Sequence, residues 1–210
     1  MKSKNIKNDV ILIGAEQDII LELERSGHKI LGYFGKKKSN TKIKHLGNFN
    51  KIQKYLNNYK NAKLCISMGP IQRRKLFLKN FKKKIFTYIS DKAIVSKNIK
   101  IGAGSFIQSF CFIGNNVSID TCCKINVRSN IHHDCKIGSF TDIAPSATIL
   151  GNVRIGKECY IGSGTIVREK INIKNKIMTG INSSVVKNIN SEGTYVGVPV
   201  KKIKNYYKRP

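Results

Sequence analysis

Among the residues able to do acid–base chemistry, one short run stands out: His132, His133 and Asp134, three ionisable side chains in a row. An imidazole titrates near neutral pH and can serve as a general base. A carboxylate next to it can hold its tautomer and stabilise the imidazolium that forms. The other two histidines, His28 and His45, sit near no such partner in sequence and are expected at the surface. The six cysteines, Cys65, Cys111, Cys122, Cys123, Cys135 and Cys159, form no CxxC pair. Catalytic zinc needs three converging protein ligands. Two adjacent histidines cannot supply them, so no metal is expected.

The elements that must position this run are set by a repeat. Stepping by six from Ile89 reaches Val95, Ile101, Ile107, Ile113, Ile119, Ile125, Ile131, Ile137, Ile143, Ile149, Ile155, Ile161, Val167 and Ile173 without a gap. Four residues after each comes a mostly small side chain: Ser105, Cys111, Cys123, Ser129, Cys135, Thr141, Ala147, Cys159 and Thr165 are examples. Gly often follows the Ile directly, as at Gly114, Gly138, Gly156 and Gly162, and is expected to permit the backbone geometry of a turn. This is the hexapeptide pattern of a left-handed parallel β-helix, in which three hexapeptides make one triangular coil. The hand departs from the usual right-handed crossover. The Ile points inward and the small residue fills the tight corner, so Cys111, Cys123, Cys135 and Cys159 are space-fillers. Cys122 lies outside that slot. His132 and His133 follow the inward Ile131 into a turn, so at least one of them projects outward. The unbroken repeat leaves no long loop on the prism that could enclose a ligand.

Residues 1–88 read differently. Strands are expected at Asp9–Gly14, Lys29–Phe34, Lys63–Met68 and Lys84–Tyr88, with helices at Glu16–Ser26, Phe49–Tyr59 and Ile71–Asn80. Lys36–Leu46 is polar and reads as an exposed loop. Strand–helix alternation at this spacing predicts a small Rossmann-like α/β domain ahead of the β-helix domain at 89–210. Ligands of such folds bind beyond the carboxyl ends of the strands. The turn there, Gly14-Ala15-Glu16-Gln17, carries a single Gly and makes a poor dinucleotide cradle.

The 39 Lys and Arg against 12 Asp and Glu give a formal charge of +27. Lys, Asn and Ile are abundant together and the lysines are dispersed without a nucleic-acid motif, so most are expected to be solvated surface. No specific nucleic acid is expected as partner. A middle reading is attraction of small polyanions such as coenzyme A or a nucleotide-sugar. No apolar run is long enough for a membrane span and no secretory leader is visible, so the chain is expected to be cytoplasmic without membrane insertion.

A Rossmann-like domain followed by an uninterrupted hexapeptide prism resembles the bacterial sugar acyltransferases, namely the sialic acid O-acetyltransferases and the N-acetyltransferases of nucleotide-linked amino sugars. The resemblance spans nearly the whole chain. Asn126-Val-Arg-Ser-Asn-Ile-His-His-Asp-Cys-Lys-Ile-Gly138 is similar to the family's catalytic stretch. It implies His133 as general base, Asp134 as its acidic partner and Asn126 as a substrate-binding residue. It also implies Gly151 as the amide facing the acetyl carbonyl. Gly197-Val-Pro-Val-Lys201 resembles the family's tail near coenzyme A, which implies Pro199 and Lys201 as cofactor-binding residues.

The acceptor side departs from the pattern. Asp142 stands where the family usually has a second His. The first strand leads into Gly14 and Ala15 where a Gly-rich, His-containing turn is usual. The second strand runs into Gly35-Lys36-Lys37-Lys38 where acidic residues are usual, and the third into Gly69-Pro70-Ile71 in place of Gly-Asp/Asn-Asn; Arg74 fits further on. The resemblance therefore implies an acetyl-CoA-dependent transferase, a homotrimer with each donor between two prisms, and a sugar or nucleotide-sugar acceptor, the reaction class carrying over better than the substrate. N-acetylation of a nucleotide-linked amino sugar is the leading expectation. O-acetylation of sialic acid or a related hydroxyl, and a non-catalytic basic scaffold, remain as alternatives.

Overall fold

The hexapeptide register becomes backbone geometry with almost no deviation. The computed structural model describes residues 7–37, 41–66 and 71–204, and the chain divides into two units, Met1–Thr87 and Tyr88–Pro210. In the second unit, two-residue strands recur every six residues and stack in parallel register eighteen residues apart, as Ser118 with Lys136 and Ile119 with Ile137. They form three faces of a parallel β-helix. Face I begins at Tyr88–Ile89. Face II runs from Ile94–Val95 to Ser184–Val185. Face III runs from Lys100–Ile101 to Asn172–Ile173.

The inward Ile and Val build one continuous core: Ile107, Ile113, Ile125, Ile131, Ile143, Ile149, Ile161 and Val167 are all fully buried. Burying each such side chain contributes roughly 1.5–3 kcal/mol relative to exposure. The small slot does more than fill space. From each donor in it, a side chain reaches the carbonyl fifteen residues on: Cys111 to Asn126 at 3.0 Å, Cys123 to Gly138 at 3.2 Å, Cys135 to Leu150 at 3.0 Å, Thr141 to Gly156 at 2.8 Å and Cys159 to Lys174 at 3.1 Å. Ser105, Ser129 and Thr165 do the same. The slot therefore selects Cys, Ser and Thr as donors that satisfy a buried carbonyl. Cys122 is also fully buried, but at a left-handed turn position with φ 54°.

The glycines after the inward Ile have a different cause from the one expected. None of Gly114, Gly138, Gly156 and Gly162 is left-handed. A Cβ on Gly114 would lie 2.9 Å from the amide nitrogen of His133, and one on Gly138 would lie 2.7 Å from the carbonyl carbon of Gly156. They are demanded by the close approach of the next coil. The left-handed position comes two residues later and is occupied mainly by ordinary residues, including Asn116, Asp134 and Asn152 with φ of 57°, 60° and 62°. Asn and Asp tolerate that region better than most.

In the first unit, β1 (Asp9–Ile13), β2 (Lys29–Phe34), β3 (His45–Gly47) and β4 (Lys63–Cys65) form an all-parallel sheet of order β3-β2-β1-β4. Helix α1 (Gln17–Arg25) buries Ile19, Ile20 and Leu23 and ends at left-handed Gly27. Helices α2 (Ile52–Asn58) and α3 (Ile71–Phe81) follow at the expected places. Strand β3 was not expected: the segment read as loop returns to pair with Tyr33 and Phe34. The expected strand at Lys84–Tyr88 reduces to a bridge between Ile85 and Leu64, while Tyr88 begins the prism. Met68, Gly69, Pro70 and Lys38 lie outside the described residues.

Candidate functional site

The corner between faces II and III carries the ionisable run. Ile131 ends the strand Asn130–Ile131 with its side chain in the core. The next three residues turn the corner, and Lys136–Ile137 resumes on face III. His133 projects outward, with its side chain 59% exposed. His132 is half-buried, with its ring 5.7 Å from that of Phe112.

Nδ1 of His133 lies 2.8 Å from Oδ2 of Asp134. The other carboxylate oxygen, Oδ1, accepts a hydrogen bond from the side-chain amide of Asn116 at 3.1 Å. The bond to His133, then the bond from Asn116, hold the Asp134 carboxyl below its ordinary value. An ionised Asp134 can only accept, so Nδ1 carries the proton and Nε2 is left as the basic nitrogen.

The edge of the imidazole that bears Nε2 lies over Gly151, one coil further on. A Cβ at residue 151 would come within 2.5 Å of Nε2 and 2.6 Å of Cε1. The backbone couples the two turns as well: the amide of Asn152 donates to the carbonyl of His133 at 2.9 Å. Three of the expected site residues, His133, Asp134 and Gly151, are thus brought together by the stacking of coils. Such a site offers an oriented imidazole on an open surface beside the backbone of a single glycine.

The other expected residues lie elsewhere. Asn126 is on the corner between faces I and II, where its amide donates to the carbonyl of Ile143 at 2.7 Å. Asp142 is on face I, flanked in register by Lys124 and Tyr160. Pro199 lies in the turn after left-handed Gly197, which is hooked to the last coil: Ser184 donates to the Gly197 carbonyl and Val200 to the Ser184 carbonyl, both at 3.0 Å. Lys201 is exposed on Lys201–Ile203, antiparallel to Gly193–Val196. Gly14 and Ala15 belong to the first unit. There Gly14 is left-handed at the carboxyl end of β1, with open space where a side chain would be, and Ala15 is buried. Arg74, on α3, is also buried.

Sequence reasoning missed Asn116. It lies in another hexapeptide, and only the eighteen-residue coil places it directly under Asp134. It also misplaced His28, which is 8% exposed rather than at the surface. Nδ1 of His28 accepts the Asn8 amide at 3.1 Å and its ring meets Phe86 edge-on. Burial pushes its pKa down, although the Asn8 bond opposes this. Among the described residues no three His, Cys, Asp or Glu converge to hold a metal, and no helix is long and apolar enough to cross a membrane.

No family model matches the chain, and no curated protein matches it. Solved structures do. The acetyltransferase domain of PglB from Neisseria gonorrhoeae superposes with a TM-score of 0.86 at 21% identity, over 94% of this chain and all of that one. PerB from Caulobacter crescentus, solved with CoA and GDP-perosamine, gives 0.85 at 20% identity over 94% and 98%. WeeI from Acinetobacter baumannii gives 0.75 at 20% identity over 94% and 100%. At these identities the likeness establishes the fold, a β-helix preceded by an α/β unit.

Proposed function

We propose that this chain is an acetyl-CoA-dependent N-acetyltransferase of a nucleotide-linked amino sugar, with His133 as general base. The observation that carries the reading is the His133–Asp134 pair set over Gly151. Support for the acyl donor and acceptor class comes from neighbours of the same fold. The PglB domain has been solved with acetyl coenzyme A, and PerB is a GDP-perosamine N-acetyltransferase solved with CoA and its sugar.

In this mechanism Nε2 of His133 takes a proton from the acceptor amine as the nitrogen attacks the thioester carbonyl. The carbon–sulfur bond then breaks, and the imidazolium returns the proton to the departing coenzyme A thiolate. Asp134 supports the transient positive charge. The Gly151 amide faces the developing oxyanion. A positioned base contributes about a hundred- to ten-thousand-fold in rate, and an oxyanion donor about a hundred- to a thousand-fold. The first unit is read as a Rossmann-like acceptor domain, with Gly14, Ala15 and Arg74 on the acceptor side. Pro199 and Lys201 lie on the coenzyme A side.

The active assembly in this reading is a homotrimer joined through face II. Its outward strand residues, Ile94, Phe112, Asn130, Thr148, Ile166 and Ser184, carry no charge, whereas face III presents Lys100, Lys136 and Arg154. Copies bearing +27 each repel, so they meet best where cations are missing. Face II is flanked by the Asn126 corner on one side and the His133 corner on the other. Association through it brings Asn126 of one copy toward His133 of the next.

The test is turnover by the full chain with acetyl-CoA and a panel of nucleotide-linked amino sugars, followed by coenzyme A release and gain of one acetyl group on the sugar. His133→Ala is expected to lose nearly all turnover while still binding coenzyme A. Near-wild-type turnover by that variant on an accepted sugar overturns the reading.

A further inference from the structure

We propose that Asn116 is a positioning residue for the base: its amide fixes the Asp134 carboxylate so that His133 keeps its proton on Nδ1 and presents Nε2 to the acceptor. The proposal rests on the reading of His133 as the general base.

Three observations carry it. The two oxygens of Asp134 are divided, Oδ2 to His133 at 2.8 Å and Oδ1 to Asn116 at 3.1 Å. The Asp134 side chain is 43% exposed, so without the amide only the bond to His133 would restrain its terminal torsion, and sp³–sp² torsions of this kind are broad. Asn116 and Asp134 are also stacked turn residues in successive coils, with nearly equal left-handed φ of 57° and 60°. Their side chains therefore leave the backbone in the same direction, and the amide reaches the carboxylate without bending the chain.

A neutral amide suits the task. It satisfies one oxygen and leaves the carboxylate its full charge for the imidazolium, which a Lys or Arg at 116 would partly cancel. It also reinforces the lowered pKa of Asp134, so the carboxylate stays an acceptor wherever an imidazole titrates.

The left-handed backbone supplies a clean test. Asn116→Gly removes the amide and relaxes the turn, so the coil is retained. Asn116→Asp keeps shape and φ but replaces the donor with a second carboxylate. Glu158→Gly, at φ 60° on the corner between faces III and I, is the control for backbone relaxation. The readouts are the ¹⁵N shifts of the His133 imidazole, assigned by loss of signal in His133→Asn, and kcat and KM across pH.

Wild type and Glu158→Gly are expected to show one neutral tautomer, protonated at Nδ1. Asn116→Gly is expected to show a mixture, with kcat about tenfold lower, the scale of one hydrogen bond to a charged group, and KM for acetyl-CoA within about twofold. Asn116→Asp is expected to move the acid limb of kcat to higher pH, because a second negative charge favours the imidazolium. An unchanged tautomer and pH profile in both Asn116 variants overturns the proposal, even if kcat falls, since that pattern marks a merely structural role. Activity surviving in His133→Ala overturns instead the assignment of the base, so the two failures are distinguishable.

Discussion

The imidazole of His133 occupies the space that a side chain at residue 151 would need, with Nε2 only 2.5 Å from the Cβ position of Gly151. Gly151 is not left-handed, so its backbone does not demand glycine; the histidine does. Gly151→Ala is expected to fold normally and push the ring off Asp134. A misplacement of about 1 Å costs on the order of a hundredfold in rate. Thermal melting together with kcat checks this: normal activity would mean that the ring position is immaterial.

The Asp134 carboxyl is held low, first by His133 and then by Asn116. A depressed carboxyl contributes above its unfolded pKa, and that contribution is lost as pH falls through the folded value. Asp134 therefore stays ionised throughout the range where an imidazole titrates. Asp134→Asn tolerates the left-handed turn yet can donate to Nδ1 and select the wrong tautomer. We expect kcat to fall at least about a hundredfold at every pH, with the fold retained and the carboxylate's small contribution to melting at neutral pH lost.

His28 gives the first unit a pH dependence of opposite origin. Burial lowers its folded pKa below 6.5, so the unfolded chain binds the proton more readily. Stability is fully present above pH 6.5 and declines as pH falls below it toward the folded value. His28→Gln is expected to flatten the fall in melting temperature of the first unit between about pH 7 and 5. An equal slope in both proteins would refute this.

The slot cysteines are inert donors. Burial raises the Cys135 thiol to about 11, and its hydrogen serves the Leu150 carbonyl. Native protein at pH 8 is expected to resist alkylation at Cys135. Cys135→Ser keeps the donor, whereas Cys135→Ala leaves the half-buried Leu150 carbonyl without it, at a cost of about 1 kcal/mol. Denaturant titration of the two variants separates them; equal stabilities would reduce the ladder to space-filling.

Face II offers a direct handle on assembly. Ile166, 51% exposed and next to last in its charge-free column, is the site to alter. Ile166→Arg is expected to yield monomers by light scattering and to lose activity while the fold persists. A trimer that survives this change would place the interface on another face.

The sequence alone determined the prism, its fifteen inward Ile and Val positions and the outward run at His133, because a six-residue period survives in composition however the chain is folded. Strands β1, β2 and β4 and the three helices of the first unit were legible from local apolar patterning. What sequence could not convey is which corner residues stand above one another. Asn116, Asp134 and Gly151 are separated by eighteen and seventeen residues, and only the length of one coil aligns them around His133. The same holds where burial depends on a distant partner. His45–Gly47 is three half-buried residues in a basic segment, a strand only because its main chain pairs with Tyr33 and Phe34. His28 is buried only because Phe86 and the Asn8 amide close over it. The glycines that follow an inward Ile, as at Gly114 and Gly138, make the point most sharply: their type is written in the sequence, but their cause, the backbone of the next coil within 3 Å, exists only in the folded stack.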